Sequence, residues 1–122
     1  MSDPTKRWPR ALYQRGTEPD PRFSLANERT FLAWTRTALA LLAAGVAIEA
    51  LELPIDEFFR AIAAVLFVAL GLLAALQSWI GWFRTERAMR EQRALPAPAL
   101  GLPITLGVVI GIVVVSIGFF LR

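Results

Sequence analysis

Leu25–Ile48, LANERTFLAWTRTALALLAAGVAI, is the stretch that decides the fold. It is apolar over a length that crosses a bilayer, for which about 20 residues suffice. Yet it carries Glu28, Arg29 and Arg36. Ionisable groups are expensive in hydrocarbon, so a membrane helix that keeps them tends to use them.

Outward from this run, the apolar residues of the 122-residue chain gather into two further blocks, Phe58–Phe83 and Pro103–Leu121. With 56% hydrophobic residues so clustered, the chain reads as all-α with three transmembrane helices. The expected helices are about 25–49, 58–90 and 103–121, in one domain over 24–122. Residues 1–23 precede it as a basic arm rich in proline (Pro4, Pro9, Pro19, Pro21), expected to be largely irregular. Trp8, Leu12 and Tyr13 among Lys6, Arg7, Arg10 and Arg15 admit an interfacial segment, but a solvated basic tail is the preferred reading. The first helix is expected to start between Ser24 and Asn27, either of which caps well, with Pro21 setting an extended approach. The first apolar block starts too far along the chain, and is too long, for a cleaved signal segment.

Charge sets an expected orientation. Lys6, Arg7, Arg10, Arg15, Arg22 and Arg29 precede or open the first block, and Arg84, Arg87, Arg90 and Arg93 follow the second. The loop between them is acidic, with Glu49, Glu52, Asp56 and Glu57. By the positive-inside bias the N-terminus is cytoplasmic and the C-terminus external. Trp79, Trp82 and Phe83 form an aromatic belt at one interface, and Phe58, Phe59, Phe119 and Phe120 at the other. Pro96, Pro98 and Pro103 are expected to end any extension of the second helix.

There is no cysteine and no histidine. That removes thiol chemistry, an imidazole base and the commonest transition-metal ligands. No phosphate-binding loop, zinc-protease motif or nucleophile beside a base is present. The chain is therefore not read as an enzyme, and no cofactor, metal or nucleic-acid partner is expected. The acidic loop reads as a solvated determinant of topology rather than a cation site.

On a wheel at about 100° per residue, Arg29, Ala33, Arg36, Ala40, Ala43, Ala44 and Ala47 share one sector of the first helix. Arg22 joins them if the helix starts early. Phe31, Leu39, Leu42 and Val46 lie on the other side and suit lipid or a bulky neighbour. Two readings follow. Either the stripe faces a water-containing passage in an oligomer, where arginine attracts anions, or the alanines mark close helix packing and the arginines snorkel to headgroups. Glu28 is assigned either to pairing with Arg29 of a neighbouring subunit or to complementing the helix dipole from the first turn. Gln77 is expected to hydrogen-bond a neighbouring helix. Gly107, Gly111 and Gly118 lie near one face of the third helix and favour close approach of another helix, in the same or another protomer.

The segment Leu25–Ala40, with Asn27-Glu28-Arg29-Thr30-Phe31-Leu32 and Trp34 as its specific core, resembles the signature of the YidH-like family of small bacterial inner-membrane proteins of unknown function. The three-helix layout, acidic first loop and arginine-rich second connector are similar to that family too. The same segment resembles one in the transmembrane domain of the eukaryotic vacuolar transporter chaperone complex, whose first helices line a polyphosphate channel in a five-fold ring. That resemblance implies that Arg22 and Arg29 contact anions and that Glu28 fixes a neighbour. Arg36 follows the bacterial pattern and departs from the vacuolar one. The catalytic and phosphoinositide-sensing domains of the vacuolar proteins have no counterpart here, so polymer synthesis is not implied.

The resulting expectation is a multi-pass protein of the bacterial inner membrane, embedded among anionic lipids. It would form a homo-oligomer, with a pentamer favoured, whose arginine-lined first helices attract an anionic cargo such as phosphate or polyphosphate. Arg22, Arg29 and Arg36 are the candidate lining residues and Glu28 the intersubunit pairing candidate. Ala33, Ala40, Ala44, Gly107, Gly111 and Gly118 are the helix-packing candidates. The alternative is a non-transporting scaffold or accessory subunit whose arginines bind lipid headgroups.

Overall fold

The computed structural model describes residues 6–96 and 99–122. Pro4 and Pro98, taken above as breakers, lie outside the described residues. Among the described residues four helices follow one another: α1 (Arg10–Tyr13), α2 (Pro21–Ala50), α3 (Glu57–Arg90) and α4 (Gly101–Leu121). No strand occurs among the described residues, and α2, α3 and α4 are each long and apolar enough to cross a membrane. At about 1.5 Å per residue, α3 is about 51 Å long and must project well beyond a hydrocarbon core of about 30 Å.

The three long helices run up, down and up, with α3 between the others. Both α2 and α4 pack on α3, and they do not meet each other. The α2 seam follows a seven-residue repeat. Asn27, Trp34, Leu41 and Ile48 alternate with Phe31, Ala38 and Gly45 along the side that faces α3. This spacing is what two slightly crossed helices need to stay in register. Two glycines bring the backbones together. A Cβ on Gly45 would lie 2.8 Å from the Ala64 carbonyl oxygen, and one on Gly71 would lie 3.0 Å from the Ala38 carbonyl oxygen. On the other side of α3, Gly107 faces Leu70, Gly111 faces Phe67 and Gly118 faces Phe59.

The acidic end is closed by local bonds. Asp56 caps α3, accepting from the Phe58 and Phe59 amides at 3.1 and 3.3 Å. Its own amide donates to the Gly118 carbonyl at 2.9 Å, which fastens the end of α4 to the loop. Arg60, largely buried, pairs with Glu49 at 3.6 Å.

Three expectations are corrected here. α2 starts at Pro21, not between Ser24 and Asn27, because Asp20 is the cap and accepts from the Arg22 amide at 2.9 Å. Proline needs no hydrogen-bond partner at the first helical position, so Pro21 begins the helix rather than holding the chain extended before it. Glu28 therefore sits in the third turn, too far along to complement the dipole from the first. Second, the arm is largely irregular outside α1, as expected, but it is not a solvated tail. Its residues from Arg7 to Pro19 fold back on α3, and Leu12 is wholly buried. α3 runs to Arg90, the expected end, and Gln92 rather than a proline turns the chain there with a left-handed φ of 54°. Third, α4 starts at Gly101, two residues before the expected Pro103.

Candidate functional site

Starting α2 at Pro21 brings Arg22 onto the helix, where it extends the stripe of Arg29, Ala33, Arg36 and Ala40. All five are exposed. On the wheel this sector lies opposite the Asn27–Ile48 seam, so packing on α3 points the stripe away from the rest of the protomer. Arg22 is tied to Asp20, its guanidinium reaching the carboxylate at 2.8 Å. That contact holds the Asp20 carboxyl below its ordinary range. Arg29 and Arg36 make no hydrogen bond or ion pair among the described residues. Ala44, at the edge of the stripe, is partly buried against the α2–α3 core, while Ala33 and Ala40 touch no other helix closely enough to be buried. Counting about 20 residues back from Ala50 places Arg29 outside the apolar span and Arg36 roughly 8 Å inside it.

A second polar assembly forms where α3 projects beyond the span. Asn27, buried in the seam, donates its side-chain amide to the Trp82 carbonyl at 3.0 Å and to Glu86 at 3.4 Å. The Ser24 hydroxyl donates to the other Glu86 oxygen at 3.2 Å. Glu86 is 3% exposed. One turn on, Arg90 is 4% exposed and holds the arm. Its guanidinium donates to the Tyr13 carbonyl at 2.8 Å, the Arg15 carbonyl at 2.9 Å and Glu18 at 3.0 Å. The Thr17 amide donates back to the Arg90 carbonyl at 2.9 Å. Arg7 also donates to Glu18 and lies 4.2 Å from the centre of the Tyr13 ring. The Arg7 hydrogen bond, helped by Arg90, holds the Glu18 carboxyl below its ordinary value. Burial pushes the Tyr13 hydroxyl up.

Glu28 points toward neither arginine. It lines a cavity of about 370 Å³ between α2, α3 and the arm, together with Phe31, Trp79, Trp82 and Glu86. Gln77 makes no hydrogen bond among the described residues and instead lines a smaller cavity, about 180 Å³, on the other flank of the α2–α3 seam. No group of three or more acidic, histidine or cysteine side chains able to hold a metal occurs among the described residues.

The family described as "Domain of unknown function (DUF202)" matches residues 22–88. The chain belongs to that family. The DUF202 match covers nearly all of α2 and α3, and so includes the arginine face and the Asn27–Glu86 contact. An uncharacterised protein of Mycobacterium tuberculosis, Rv2272, is 49% identical over 108 residues, covering 82% of this chain and 84% of the relative. The Escherichia coli inner membrane protein YidH is 46% identical over 82 residues, covering 66% of this chain and 71% of the relative. No solved structure matches. The likeness to YidH and the three membrane-length helices make this DUF202 protein a multi-pass protein of the inner membrane. Nothing in these matches indicates catalysis.

Sequence reasoning read Asn27 as a cap and Glu86 and Arg90 as connector charges, and missed their burial. The seven-residue step from Asn27 to Trp34, Leu41 and Ile48 was the available signal for Asn27. For Glu86 and Arg90 there was none, because the groups that bury them belong to an arm read as unstructured.

Proposed function

We propose that this protein assembles through α2 into a homo-oligomer, with a pentamer favoured, in which Arg29 and Arg36 line a passage that attracts anions. The carrying observation is the placement of both arginines, with Ala33 and Ala40, on the one face of α2 turned away from α3 and α4. Arg36 inside the apolar span needs water, an anion or a headgroup within reach. A ring closed on the α2 faces supplies such a wet lumen, and the alanines between the arginines keep it open. Phosphate and polyphosphate-like chains are the cargo class that arginine suits, because its planar fork pairs two oxygens at once. Arg22 would stand at the mouth on the arginine-rich side, which we assign to the cytoplasm with the N-terminus.

The exposed position of the arginines near one helix end also favours a second reading. Without a ring, their long side chains would reach the phosphates of anionic lipids and anchor a non-transporting scaffold or accessory subunit. Anion flux into liposomes separates the two. Flux is expected from the wild type and a loss of at least tenfold in the Arg29→Ala, Arg36→Ala double variant. Equal flux from both proteins sinks the lining role. A monomer by mass in nanodiscs removes the ring.

A further inference from the structure

The cavity beside Glu28 and Glu86 lies on a different flank of α2 from the arginine face, and its chemistry is of opposite sign. Phe31 on α2 forms one wall. Trp79 and Trp82 on α3, with ring centres 5.3 Å apart, form another. Arg7 and Glu18 reach the rim but bond each other, and Arg90 holds Glu18 as well. Arg7 also acts on Glu86 through space, but among the described residues Glu28 and Glu86 are the lining carboxylates that no ion pair reaches. Glu86 is the telling group. It is buried, both its oxygens accept from neutral donors, and no ion pair reaches it among the described residues. A buried carboxylate of this kind gains most from a positive charge brought to it.

A bare metal ion fits poorly, since it needs more oxygen ligands than two carboxylates set among aromatic rings. An ammonium group carrying carbon fits both features. Its charge meets the carboxylates, and its methylenes or methyls lie against the rings, Trp82 offering the freer face because Trp8 stacks on Trp79 at 5.6 Å. The volume of about 370 Å³ is that of a small-molecule site. We propose that this cavity binds an organic ammonium group, with Glu28 and Glu86 as counter-ions and Trp79 and Trp82 as its walls. The cavity lies where α2 and α3 leave the apolar span, so the group can come from an aminophospholipid headgroup or from a soluble amine.

The test uses the full chain in nanodiscs of phosphatidylglycerol and reads tryptophan fluorescence, since Trp79 and Trp82 border the site. Tetramethylammonium chloride and ethanolamine hydrochloride are titrated against sodium chloride at constant ionic strength. Both ammonium salts are expected to give a saturable change. The exposed Glu28→Gln variant is expected to weaken it about tenfold, as loss of one charge-assisted contact implies. Glu86→Gln should weaken it at least as much. If that variant does not fold, Glu28→Gln decides alone. The same response to sodium, or an unchanged apparent Kd in Glu28→Gln, overturns the proposal. Repeating the titration with phosphatidylethanolamine in the nanodisc identifies the source, and both outcomes support the site. Weaker apparent binding means the lipid headgroup competes for it, and unchanged binding means a soluble amine is its occupant.

Discussion

Asn27 on α2 donates its side-chain amide to the main-chain carbonyl of Trp82 on α3 at 3.0 Å, at the polar end of a seam that is largely apolar. The same amide reaches Glu86, so one side chain fixes both the register of α2 on α3 and the position of a buried carboxylate. Asn27→Leu would keep the branched outline of the side chain and remove both bonds, leaving Glu86 with Ser24 as its remaining donor. The expected cost is about 1–2 kcal/mol. It should appear as a lower midpoint of thermal unfolding in detergent, with Ser24→Ala costing less. A midpoint unchanged in Asn27→Leu would mean that the carbonyl and carboxylate find other donors.

The glycines divide sharply by what surrounds them. At Gly45 and Gly71 an added Cβ meets main-chain atoms of the facing helix, which cannot swing aside. Gly45→Leu and Gly71→Val should each force α2 and α3 apart and destabilise the protein by about 1–3 kcal/mol, as overpacking does. Gly101, at the start of α4, has nothing within 4 Å of such a Cβ. Gly101→Ala should be neutral or stabilise slightly through the unfolded chain. Thermal midpoints of the three variants against wild type check both signs together.

The long helices and the arginine–alanine face were legible because lipid imposes simple rules on length, charge and periodicity. Arg29 and Arg36 shared a sector from spacing alone, and α3 packs on the opposite sector. The arm was not legible. Its proline content argued for disorder, but Pro19 and Pro21 flank a helix start, and Tyr13 and Arg15 are held by Arg90, a residue more than seventy positions away in the chain. Composition describes what a segment can do alone. It is silent on a guanidinium on another helix that satisfies the segment's carbonyls.

That clamp makes the arm sensitive to acid. Glu18 is held below its ordinary value of 4.5 by the hydrogen bond from Arg7 and by Arg90. A carboxyl lowered in the folded state lends stability that is fully present above 4.5 and lost as pH falls through the lower folded value. Hydrogen exchange at Thr17, whose amide donates to the Arg90 carbonyl, should therefore speed up at low pH while the α2–α3 seam stays protected. Glu18→Gln at neutral pH should mimic the effect in part. Because Glu18 is half exposed, the effect should shrink as salt is added. Arg90→Met should release the arm at every pH, and Arg90→Lys should not restore it, since an ammonium cannot reach Tyr13, Arg15 and Glu18 in one plane. Thr17 exchange in Arg90→Met as slow as wild type would show that Leu12 burial alone holds the arm.

Orientation is open to a direct measurement, because the chain has no cysteine of its own. Leu51, at the end of α2, and Leu95, after α3, are both exposed and lie at opposite ends of the long helices. The arginines near Leu95 and the acidic residues near Leu51 put the first inside and the second outside by the charge bias. In intact spheroplasts a membrane-impermeant maleimide should label Leu51→Cys and leave Leu95→Cys untouched until the membrane is opened. The reverse pattern would place the N-terminus outside. It would also turn the Glu28–Glu86 cavity and the Arg22 end of α2 to the external face, so an ammonium ligand and an anionic cargo would both have to arrive from there.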